Sequence, residues 1–131
     1  MQTKIHKVRN IKRAADHERK IVRDSKDVGF RTESSKPIDV VIFRHGGKVD
    51  VVDAKFTDKD FLVISKHDLK KGLDVAEEME KRGHDARFVI DMHFPQQRRH
   101  KVIVIPHKTK KSMRVTCKNK RIVTKLVSRG A

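Results

Sequence analysis

The sequence predicts an α/β fold: a single domain with a central mixed β-sheet flanked by helices. Three observations predict it. At 131 residues the chain is long enough for one real core and too short for two. Two stretches carry apolar residues at the three-and-four spacing of a helix face, and the β-branched runs between and after them read as strands bounded by turn residues.

The first element is an amphipathic helix over 10–28, with Ile11, Ala14, Ala15, Ile21, Val22 and Val28 along one face and Glu18 near the centre of that stripe. Gly29 is expected to stop it, and "TESSKP" forms a polar loop. Next come the runs "DVVIF" and "VDVVDAKF", joined by "RHGGK". Gly46 and Gly47 suit a tight turn with positive φ, so these runs should be antiparallel neighbours. A second helix follows over 65–82, with Ser65 and Asp68 spaced as a capping box and Gly83 as its stop. "ARFVIDMHF" and "KVIVI" are two further strands around the basic loop "PQQRRH". The expected core spans about residues 10–105, and the basic segment 106–131 ends in either a short strand at "RIVTKLV" or a helix.

Charge indicates the partner. Lys and Arg number 33 against 17 Asp and Glu, a formal +16, which favours a polyanion: nucleic acid first, an anionic membrane surface second. Residues 92–131 hold 12 of the basic side chains and no acidic one. With six Phe and no Trp or Tyr, the chain has little material for stacking on bases, so it should grip backbone and shape. Cys117 is the lone cysteine, which excludes an intrachain disulfide and points to a reducing, cytoplasmic setting in a cell or a virus-infected one. No run is apolar enough to span a bilayer, and the N-terminus lacks the apolar segment of a signal peptide.

The chemistry is concentrated in the hairpin. Residues two apart on a strand share a face, so Asp53 and Lys55 project together about 7 Å apart while Val52, Ala54 and Phe56 pack on the other side. Pairing about Gly46 and Gly47 sets Asp39 beside Asp53, and Glu18 can join from the first helix. Clustered carboxylates repel one another, and a divalent cation removes the repulsion. Mg²⁺, with Mn²⁺ as a substitute, is commonly held by one or two carboxylates plus phosphate oxygens. Such a site, with Lys55 to orient water, suits metal-dependent phosphodiester hydrolysis. The bare triplet Asp/Glu-x-Lys recurs at 18–20, 24–26 and 68–70, but only "DAK" ends an apolar strand opposite a second strand-borne aspartate. The competing reading makes these four residues salt-bridged structure in a non-enzymatic nucleic-acid-binding protein.

The succession "ADHERKIVRDSKDVGF", "TESSKP", "IDVVIF", "DVVDAKF" and a following helix resembles the PD-(D/E)xK nucleases, and specifically the archaeal-type Holliday junction resolvases, over about residues 10–92. That resemblance implies a restriction-endonuclease-like core, metal ligands at Glu18, Asp39 and Asp53, a catalytic Lys55, and Ser34 or Ser35 near the scissile phosphate. It also implies a homodimer that makes paired nicks in four-way DNA junctions; another small nuclease of the superfamily is the alternative. Three positions depart from the resolvase pattern: Asp53 replaces a glutamate, Ile38 separates Pro37 from Asp39, and Asp68 stands where a glutamine is usual. Lys36, Arg98, Arg99 and Lys101 are candidate phosphate contacts. His93, His100 and His107, spaced by seven, read as surface residues rather than a metal site.

Overall fold

The computed structural model describes residues 4–24, 28–31, 38–109 and 111–126. Two helices and eight strands follow in the order α1 (Lys4–Asp24), β1 (Val28–Arg31), β2 (Val40–Arg44), β3 (Lys48–Phe56), β4 (Phe61–Ile64), α2 (Lys66–Lys81), β5 (Asp85–Phe94), β6 (Arg99–Ile105), β7 (Met113–Lys118) and β8 (Arg121–Leu126). The central sheet runs β1-β2-β3-β5-β6, and β4-β7-β8 form a second, three-stranded sheet. Among the described strands only β3 and β5 pair in parallel, so the central sheet is mixed.

Alternation along the strands divides the core in two. Val49 and Val51 of β3 and Phe88, Ile90, Met92 and Phe94 of β5 face α2, where Leu69, Leu73 and Ala76 meet them. Val40, Val52 and Val89 face the opposite way, against Ile21 of α1. The contact with α2 is close because Gly72 has no side chain: a Cβ there would stand 2.2 Å from the buried Phe88 ring.

The expected hairpin is present, with Val40 opposite Val52 and Gly46 and Gly47 at φ of 78° and 74°. Ser65 caps α2 as its spacing predicted, its Oγ accepting from the Asp68 amide at 3.1 Å, and Gly83 follows the helix at φ 91°.

Two expectations need correction. Val28 does not extend the first helix; it opens β1, which pairs with β2 from Val28 opposite Phe43. Helix periodicity does not anticipate a short strand recruited to the edge of an existing sheet. Nor does the core end near residue 105. Strand β7 pairs with β4, a strand not foreseen from sequence, and puts Met113, Val115 and Cys117 into the α2-side core, while residues 121–126 of "RIVTKLV" form a strand, β8, rather than a helix.

Candidate active site

The α2-facing side of β3 carries Asp53 and Lys55 beyond the last apolar residue, Val51. Asp39, just before β2, is fixed twice: its amide donates to the Val52 carbonyl at 3.1 Å, and its Oδ2 accepts from the Ala54 amide at 2.9 Å. These bonds prolong the β2–β3 ladder and hold the Asp39 carboxylate beside Asp53.

Lys55 Nζ lies 3.3 Å from Asp53 Oδ2 and donates to Asp68 Oδ2 at 2.8 Å. Asp68 stands on the first turn of α2, where a carboxylate complements the positive end of the helix dipole. From sequence, Asp68 is a cap partner standing where the resolvases carry a glutamine, with no link to Lys55. Its side chain is in fact the nearest anchor for Lys55, a consequence of where α2 crosses β3.

Burial, and then the hydrogen-bonded Asp39, push the Asp53 carboxyl up to about 7. Desolvation pulls the Lys55 ammonium down, but Asp53 and Asp68 outweigh it and the net direction is upward. Desolvation likewise opposes the Lys55 hydrogen bond at Asp68, which prevails and holds that carboxyl below its ordinary value. Lys55 is therefore a cation at neutral pH, a donor rather than a base.

Asp39 and Asp53 offer a hard, oxygen-only pair whose mutual repulsion a divalent ion would relieve, so the residues present fit Mg²⁺. Among the described residues no three His, Cys, Asp or Glu side chains form a metal-holding group on their own, so phosphate oxygens and waters would have to complete the shell. Half-buried Glu18 lies on α1, which packs on the opposite sheet face from Asp53. At 100° per residue it occupies the flank turned away from Arg13 and Lys20, hence toward β2 rather than β5. Ser34, Ser35 and Lys36 lie outside the described residues.

The fold is similar to one already solved. Over 79% of this chain and 84% of the other, it superposes with a TM-score of 0.60 on Hjc from Archaeoglobus fulgidus, a Holliday junction resolvase from an archaeal hyperthermophile. Identity between the two is 14%, so the likeness is one of fold. No protein-family model matches the chain, and no curated protein matches it. No helix among the described residues is long and apolar enough to cross a membrane.

A second polar cluster occupies the α1 side of β5 and β6. Asp91, only 5% exposed, bonds His100 on the neighbouring strand, and His17 Nε2 of α1 stands 3.6 Å from the same carboxylate oxygen. The His17 and His93 rings stack at 5.2 Å. Burial lowers the pKa values of His17 and His93, whereas the Asp91 bond raises that of His100. The seven-residue spacing paired the wrong third histidine: His107 lies apart, 3.3 Å from Glu80. The sequence signal for His17 is its spacing: it precedes Ile21 by one helical turn on the same apolar face of α1.

Of the candidate phosphate contacts, Arg98 follows a short 3-10 turn at 95–97 in a left-handed conformation, φ 51°. Arg99 and Lys101 are exposed on β6, the open edge of the central sheet.

Proposed function

We propose that the protein is a divalent-metal-dependent DNA endonuclease that acts on four-way junctions as a homodimer, nicking symmetry-related strands. The observation that carries this reading is the meeting of Asp39, Asp53 and Lys55 at the end of β3 in a strongly basic α/β chain with the fold of a resolvase. Asp39 and Asp53 would hold Mg²⁺ or Mn²⁺, and phosphate oxygens and waters would complete the shell. When bound, the ion supplies electrostatic stabilisation to the phosphodiester as negative charge develops on it. Lys55, kept protonated by Asp53 and Asp68, donates to the attacking water or to a phosphate oxygen and orients it for in-line attack. Asp68 is a positioning residue that holds the ammonium between two carboxylates. A loop serine, Ser34 or Ser35, would contact the scissile phosphate, and Lys36, Arg98, Arg99 and Lys101 its neighbours.

The closed Lys55 ion pairs also suit a purely structural role in a non-catalytic DNA-binding protein. One experiment separates the two: an end-labelled immobile four-way junction is incubated with wild type or Asp53→Asn, in Mg²⁺ or in EDTA. Paired nicks that need metal and fall at least a hundredfold in the variant are the expected outcome. Binding without cleavage, equal in both proteins, would overturn the nuclease reading. Equal nicking of linear duplex would remove the junction selectivity while leaving the hydrolysis.

A further inference from the structure

We propose that the cleft between the 95–98 turn and the β7–β8 turn grips the phosphate backbone of a double-helical DNA arm, outside the catalytic carboxylates. The proposal deepens the branched-DNA reading above and rests on it. The cleft has a volume of about 650 Å³, and its lining includes Arg98 on one side and Lys118, Asn119 and Lys120 on the other. Asp60 is the one acidic residue in the lining against three cations. No aromatic ring lines it, so the cleft suits a charged backbone rather than stacked bases.

Its position follows from strand order. The parallel strands β3 and β5 pair up to Phe56 opposite His93, and the Thr57 amide continues the ladder to the His93 carbonyl. The connections 57–60 and 95–98 thus leave the same sheet end that carries Lys55, and both contribute to the cleft. The Cys117 amide donates to the Asp60 carbonyl at 2.7 Å, and the Gln97 amide group bonds the Cys117 carbonyl, so the two walls are tied together.

Backbone conformation supplies an independent observation. The positive-φ residues other than glycine among those described are Arg98, Asn119 and Lys120, at 51°, 51° and 63°, and all three line this cleft. Lys118 pairs with Arg121, so Asn119 and Lys120 form a two-residue hairpin loop with positive φ at both positions. That loop strongly favours Asn-Gly, and a lysine fills the position where glycine is unstrained. Arg98 does the same on the facing wall. Strained backbone held by cationic side chains on both sides of one cleft points to a ligand clamp.

The test replaces each strained cation by the residue its backbone prefers. Wild type, Arg98→Gly, Lys120→Gly and the double variant are titrated into a labelled four-way junction, linear duplex and single strand in EDTA over a range of KCl, and each protein is melted. The expected result is a salt slope shallower by about 1 in each single variant and about 2 in the double, on both junction and duplex. The melting temperature should meanwhile hold or rise by about 3 °C as strain is relieved. An unchanged slope in the double variant overturns the proposal and leaves the nuclease reading intact. So does a fall in both melting temperature and binding, which would make these residues structural, or a loss confined to single strands. Wild type that binds both duplex forms through the cleft but cuts neither once Mg²⁺ replaces EDTA would instead overturn the nuclease reading alone, and wild type that binds no DNA would overturn both.

Discussion

Asp53 is the residue on which the chemistry turns, because burial and its hydrogen-bonded neighbour Asp39 both favour its protonated form. An ordinary aspartate is ionised by pH 5, but here the proton leaves near pH 7. A metal ion must displace that proton to bind. Mg²⁺ affinity measured by calorimetry should therefore rise close to tenfold per pH unit below about 7 and level off above it, with roughly one proton released at the acid end. Asp53→Asn should abolish both the pH dependence and the proton release. For stability the sign is opposite: the folded pKa is raised, so the contribution of Asp53 to the stability of the metal-free protein is full at low pH and is lost as pH climbs from about 4 to about 7. Lys55 titrates far above this window and stays charged throughout.

At the scale of the element, α2 sets the site as much as β3 does. Its first turn delivers Asp68 to Lys55, and its buried face fixes how near that turn comes to the sheet. Gly72 permits the approach, since a methyl group there has no room against the fully buried Phe88. Gly72→Ala should lower stability by about 2 kcal/mol in denaturant unfolding, despite alanine's better helix propensity, because the overpacking term exceeds the propensity gain of about 1 kcal/mol. A variant at least as stable as wild type would show that α2 can shift. On the other face α1 docks through Ile21 and His17, with Arg13 clamped to Asp58 just beyond the end of β3. The helix that carries Glu18 is thus tied to the same sheet end as Lys55.

For the whole molecule, the basic C-terminal region is at once core and surface. Val115 and Cys117 are fully buried in the α2-side cluster, while Arg114, Lys118, Lys120, Arg121 and Lys125 stay exposed. A chain truncated after Ile105 loses β7 and with it the partner of β4, so it should fail to unfold cooperatively by circular dichroism. Cooperative unfolding of that fragment would instead show that the core is complete by Ile105.

How much of this was legible before the fold was known depends on the range of the interactions. The hairpin, the Ser65 cap, the two faces of β3 and the meeting of Asp39, Asp53 and Lys55 all follow from local rules: strand alternation, glycine in a turn, a hydroxyl three residues before an amide. These were determined by the sequence alone. Strands β1, β4 and β7 become strands by pairing with distant segments, which propensity does not encode. Asp68 beside Lys55, His17 beside Asp91, and the joining of the 95–98 turn to the β7–β8 turn were decided by tertiary structure. Each depends on where one element crosses another, which is set by the packing of the whole core rather than by the residues that meet there.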